Sequence, residues 1–276
     1  MTDTVRPPRP FGVRTEIRRQ LSRRRTPWTF LLVALLPIVA VLAFVLGTDE
    51  DDRASGFVGL ATSSAANFAV FVQLVSASFL LVVVVALFCG DTVAGDASVG
   101  ALRYLLAAPV PRSRLLTVKL LVGLLYSLAA VVLLTVVSLV AGTIAFGWQP
   151  MQTVTGDDVG AWAALLRVAA VAGYVCVTLL MTAGVAFWLS VSTDAPLGAV
   201  GGAVLVVILS GILDQITALG SLRSLLPTHY QNAFLGLLGT PVQTDDMVRG
   251  AISALAYATT FLAAAWWVFH RKDITS

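Results

Sequence analysis

GDTVAGDASVGALRYLLAAPVPRSRLLTVK, residues 90–119, is a polar interruption between two long apolar stretches. It holds the carboxylates Asp91 and Asp96, the cations Arg103, Arg112, Arg114 and Lys119, two prolines and three glycines. A compact amphipathic run, Leu102 to Leu106, sits in its middle. The rest of the chain is oily. Of 276 residues, 58% are hydrophobic and 12% charged, with a mean hydropathy of +0.88. An ordinary soluble domain carries roughly 25% charged residues. A membrane helix needs about 20 apolar residues to cross a hydrocarbon core of roughly 30 Å. Such runs recur, and they predict an all-α integral membrane protein with one transmembrane domain over residues 1–276.

Upstream of the quoted stretch, residues 54–90 carry no charge, with a span at about 68–90 approached through small and polar residues from Gly56 to Asn67. Before it, a first span at 27–46 ends against Asp49, Glu50, Asp51 and Asp52. That run is too long and too far from the terminus for a signal peptide, whose apolar core is about 7–15 residues. Residues 11–25 are arginine-rich, with Val13, Ile17 and Leu21 recurring every fourth residue. On a helix they form one narrow stripe. This predicts an amphipathic helix lying in the membrane interface; the alternative is a basic flank that only sets orientation. Residues 1–10, with Pro7, Pro8 and Pro10, read as a disordered tail.

Downstream, spans are expected at 115–146, 165–191, 196–214 and 250–269. Trp148 marks an interface, where amphipathic aromatics settle. Ser192 to Pro196 reads as a tight turn. Between the last two spans, Leu222–Leu226 and Ala233–Leu238 are apolar but too short to cross. Of the 18 Lys and Arg, 14 lie in the N-terminal flank, the 91–119 segment and the C-terminus. Cytoplasmic loops carry the excess of basic residues, so both termini and the 91–119 segment are expected in the cytoplasm. Six spans put both ends on one side, in agreement.

The chain has no phosphate-binding loop, no HExxH and no GxSxG turn. Cys89 and Cys176 fall inside apolar runs, and His229 and His270 are isolated, so no metal or cofactor site is expected. Nucleic acid is not an expected partner. Ionisable groups, which coupled carriers place near the midplane, are nearly missing from the spans. Asn67, Phe71, Gln73 and Ser78 are candidate pathway residues, with helix packing as the alternative for the polar ones. A membrane part without its own energy-coupling groups points to energy supplied by a partner.

Within 91–119, Asp96 or Ser98 is suited to cap a short helix. Leu102, Leu105 and Leu106 would share one face, with Arg103 on another. Pro109 stops that helix, and Pro111 favours initiation of the third span. Arg112, Arg114 and Lys119 are expected at the level of the headgroups. The leucines either lie in the bilayer or touch another protein.

Asp96, Gly100, Leu102, Leu105, Leu106, Pro109, Arg112 and Lys119 together resemble the inner-loop signature of type-2 ABC exporter permeases. Six spans, a basic interfacial helix and a broken outer section before the last span extend the likeness over most of the chain. The family most often has glutamate followed by Gly-Thr, where this chain has Asp96 and then Gly100-Ala101. The resemblance implies a prokaryotic plasma (inner) membrane permease, multi-pass, working as a dimer with a second copy or paralogue. It implies a cytoplasmic coupling helix between spans two and three and short re-entrant helices between spans five and six. It also implies a separate ATPase subunit that holds ATP and Mg, contacted by Asp96, Gly100, Leu102, Arg103, Leu105, Leu106, Pro109 and Arg112. Ser192 and Asp194 would form a second inner contact. The rival classes are a secondary transporter or channel working without an ATPase, and a membrane-embedded enzyme or assembly factor.

Overall fold

The computed structural model describes residues 12–47, 56–100 and 111–271. Its helices are α1 (Val13–Leu21), α2 (Arg25–Gly47), α3 (Gly56–Thr62), α4 (Ala65–Ala77), α5 (Leu80–Ser98), α6 (Arg112–Phe146), α7 (Ala161–Ser192), α8 (Pro196–Asp214) and α9 (Asp245–Arg271). Two-residue strands, β1 (Met151–Gln152) and β2 (Asp158–Val159), pair antiparallel between α6 and α7. Two 3-10 helices, Thr217–Leu225 and Ala233–Leu238, fill the broken section before α9. Six helices, α2 and α5 to α9, are long and apolar enough to cross a membrane. This is an all-α membrane protein.

The expected single span over 68–90 is two helices. Ser78 and Phe79 break the run, Phe79 adopting φ −140° and ψ −61°. The carbonyl of Ala77, left without its helical partner by the break, accepts from Gln231 Nε2 at 2.6 Å. A freed backbone carbonyl inside a bilayer has to find such a partner. The second half then runs eight residues further than the apolar pattern, through Asp91 and Asp96 to Ser98. Gly100, at φ +67°, closes it in the left-handed conformation that glycine adopts without strain. Its N–H reaches Ala97 O at 2.9 Å.

α5 is the centre of the bundle. Its apolar window is 72% buried, against 11% for α2, which lies at the periphery. Glycines allow the close approaches. A Cβ at Gly90 would sit 3.2 Å from Val200 of α8, and one at Gly123 would sit 3.1 Å from Cys89 and from the Phe88 carbonyl. Ser190 Oγ, near the end of α7, accepts from the Val93 and Ala94 N–H groups at 3.0 Å each. Arg112 of α6 meets the His270 carbonyl of α9 at 3.5 Å. One end of the bundle therefore gathers α1, the end of α5, the start of α6, the end of α7, the start of α8 and the end of α9. We call it the basic end.

At the opposite end, Asn67 joins α4 to the β-hairpin, donating to Gln152 O at 2.8 Å and accepting from Gln152 N at 3.0 Å. The section between α8 and α9 is pinned by His229 to Asp214 at 2.5 Å and by Tyr174 Oη to Tyr230 O at 2.7 Å.

Candidate functional site

The helix expected over 11–25 is shorter and lies differently. α1 ends at Leu21, and a turn of three residues leads into α2. Thr26 Oγ closes that turn on the Gln20 carbonyl at 2.7 Å, one of the groups a helix end leaves unpaired. The apolar stripe does not simply face lipid. Val13 and Ile17 pack against the protein core, while Leu21 is exposed. Next to the stripe, Glu16 and Gln20 are fully buried, one turn apart on the same face. Glu16 is buried because the surface beneath it is charged.

That surface is formed by the ends of α5 and α6. Lys119 does not lie among headgroups; it is 0% exposed. Its ammonium donates to the Asp96 carboxylate and to the Thr92 carbonyl at 2.7 Å, with Glu16 at 3.7 Å. Asp96, 2% exposed, also accepts from Arg19 at 2.6 Å and from Arg23 at 3.1 Å. Arg19 reaches back to Glu16 at 2.8 Å. Asp91 is bridged by Arg23 at 2.6 Å and by Arg25. Four cations thus meet three carboxylates drawn from α1, the α1–α2 turn, the start of α2, α5 and α6.

Burial works to lower the Arg19 pKa, but the hydrogen bond and charge of Asp96, with the charge of Glu16, outweigh it. The net shift is upward. Tyr126 Oη adds a hydrogen bond to the Ile17 carbonyl at 2.9 Å, fixing α1 to α6 from the membrane side. Buried ions taken from water need this density of partners, since desolvation otherwise exceeds the attraction.

Asp96 is therefore no helix cap. It lies inside α5 as the centre of the ion cluster, and Ser98 Oγ bonds back to Gly95 O at 3.0 Å. Gly100 ends α5, and Arg112 begins α6 in an exposed position. Leu102, Arg103, Leu105, Leu106 and Pro109 lie outside the described residues. Ser192 and Asp194 are both exposed at the α7–α8 turn. Of the candidate pathway residues, Asn67 and Phe71 line one small cleft with Leu60 and Leu74, and Gln73 and Ser78 are not part of it. Asn67 is tied to the hairpin, Phe71 packs between Phe44 and Phe57, and Ser78 is exposed at the helix break. Gln73 is buried and donates to Thr135 Oγ at 2.5 Å. An apolar cleft of about 230 Å³ between α5, α6 and α7 is lined by Val85, Leu128, Val131, Leu179 and Leu180 among others.

Sequence reasoning missed Glu16, Arg19, Arg23, Arg25 and Tyr126 as partners of this cluster. Two signals were present. Glu16 is the only acidic residue in the arginine-rich segment 11–25, and Lys119 is one of only two lysines in the chain.

No group of three or more metal-ligating side chains occurs among the described residues. Comparison with curated proteins finds no match. A family described as "Protein of unknown function (DUF2705)" matches residues 30–275, which include Asp91, Asp96 and Lys119 and begin after α1. The chain belongs to that family, DUF2705.

Proposed function

We propose that this chain is the membrane-spanning subunit of an ATP-driven ABC exporter. It would lie in a prokaryotic plasma (inner) membrane with its basic end and both termini in the cytoplasm, where the excess of Lys and Arg belongs. Permease dimers would bind a pair of ATPase subunits carrying the nucleotide and its Mg ion. The segment 91–109 would receive their stroke.

One observation carries this reading. The segment that includes Leu102 to Pro109 leaves α5 just beyond Asp96 and re-enters at α6 just before Lys119, and those two residues are joined by a buried ion pair. Arg19 and Glu16 bind α1 to the same joint. A push on the segment would then act on a stiff junction of three helices, not on two independent helix ends. Packed and hydrogen-bonded elements transmit such displacements because they have few alternative arrangements. Nucleotide binding in the partner would shift the population between two orientations of α5 and α6.

The test is reconstitution of the chain in proteoliposomes with the ATPase subunit that copurifies with it. The double variant Leu105→Glu, Arg103→Glu should abolish stimulation of ATP hydrolysis and transport while leaving helical content unchanged. Unaltered ATP-dependent transport in that variant would overturn the coupling role. Transport by the chain alone would favour the secondary transporter or channel.

A further inference from the structure

Beside the ion cluster lies an open depression of about 530 Å³. Asp91, Gly95 and Ser98 of α5 floor it; Arg23, Arg24 and Arg25 form one wall, and Pro196 at the start of α8 forms the other. Three arginines and one aspartate line it, and Arg23 is shared with Asp96. Arg23 and Arg25 both engage Asp91. Arg24 is exposed and has no ion pair among the described residues.

Beyond the depression, α5 presents a half-buried apolar stripe. Leu80, Val83, Leu87, Asp91, Gly95 and Ser98 follow one another at spacings of three and four, so they form one stripe along α5. Between Leu80 and Gly90, only Leu80, Val83 and Leu87 escape full burial. At the rim, Val99 is 75% exposed, and Leu197, next to Pro196, is 88% exposed.

We propose that this depression is a binding site for the headgroup of an anionic phospholipid, with an acyl chain lying along the Leu80–Val83–Leu87 stripe. A phosphodiester brings the negative charge that Arg24 lacks, and a guanidinium fork matches its paired oxygens. Basic pockets between membrane helices are suited to anionic headgroups. The arginines lie at the start of span α2, whose Trp28 is exposed, and amphipathic aromatics favour the membrane interface. An acidic protein segment would satisfy the charge but would leave Val99, Leu197 and the α5 stripe uncovered. A lipid covers both. This inference stands apart from the transporter reading, since it needs no ATPase.

The experiment is native mass spectrometry of the full chain released from micelles containing equal amounts of phosphatidylglycerol and phosphatidylcholine. The wild type should retain phosphatidylglycerol preferentially. Arg24→Gln should lower that preference about fivefold, the loss expected for one cation near an anionic lipid. Arg14→Gln removes an exposed charge of α1 outside the depression and should leave the preference unchanged. Val83→Trp, which changes the shape of the stripe without altering charge, should lower retention of phosphatidylglycerol. Equal retention of the two lipids by the wild type would overturn the proposal, as would an equal fall in Arg14→Gln. Displacement of the lipid by millimolar inorganic phosphate would make it a free-anion site. Loss of a copurifying protein from Arg24→Gln, with the lipid preference intact, would make it a protein contact instead.

Discussion

The ammonium of Lys119 and the carboxylate of Asp96 form a buried ion pair between α6 and α5, at the basic end of the bundle. Removing one partner of such a pair leaves the other charge uncompensated, which costs roughly 3–5 kcal/mol. Arg19 and Arg23 still face Asp96, so Lys119→Met should fall at the lower end, about 3 kcal/mol. Thermal unfolding in micelles reads that loss. Protease access to α1 should rise in parallel, because Glu16 also faces Lys119. A loss below about 1 kcal/mol would mean that the pair adds little beyond an apolar contact.

The upward shift of Arg19 sets an alkaline limit. A cation whose folded pKa exceeds its unfolded value contributes fully below the unfolded value, and its contribution is lost only as pH rises through the folded one. For an arginine that window lies above pH ~12. The Arg19 contacts to Asp96 and Glu16 should therefore hold α1 without change from neutral pH to pH ~10. A spin label at exposed Arg18 should report constant mobility over that range in the wild type. Arg19→Lys, whose amine titrates near pH ~10.4 when unperturbed, should bring the release of α1 to lower pH.

Tyr126→Phe removes only the hydroxyl that donates to the Ile17 carbonyl. The expected cost is about 1 kcal/mol. Hydrogen exchange should quicken in α1 and remain as before in α7 and α9. Uniform quickening across the bundle would place Tyr126 in global packing, not in the attachment of α1.

Gly184 of α7 lies against the backbone of Ala258 in α9, where an added Cβ would come within 3.1 Å of both the Cα and the carbonyl oxygen. A backbone neighbour cannot rotate aside as a side chain does. Gly184→Val should destabilise by about 1–3 kcal/mol, as overpacking does. Cysteine cross-linking between α7 and α9 at flanking positions should fall in the same variant. Undiminished cross-linking would mean that the helices absorb the volume without separating.

Gln73 gives the opposite result. Its Oε1 is buried with no hydrogen-bond partner among the described residues, and Thr135, which accepts from its Nε2, also donates to Val131 O at 2.8 Å. Gln73→Leu loses one net hydrogen bond and relieves an unpaired acceptor, so stability should change by less than about 1 kcal/mol. Transport altered at unchanged stability would point to a pathway role for this residue. A loss above about 2 kcal/mol would show that the Gln73–Thr135 contact holds α4 to α6.

Composition and hydropathy alone determined the class of this protein and the approximate place of its spans. Desolvating polar backbone in a bilayer leaves helices as the only economical way to cross it, and each crossing needs a run of fixed length. Pro111 was legible as the start of the third span for a local reason, since it lacks an N–H; Gly100 as the end of α5 was not. Asp91 read as part of a polar interruption and Asp96 as a candidate cap because nothing near them in sequence neutralises them; their partners Arg19, Arg23, Arg25 and Lys119 come from elsewhere in the chain. The break at Ser78–Phe79 was equally hidden, since the side chain that meets the freed carbonyl is Gln231. Burial of a charge depends on which distant groups converge on it. Periodicity along one helix carries no record of that convergence. Only the packing of α1, α5 and α6 decided that residues 90–119 begin and end inside an ion-locked joint.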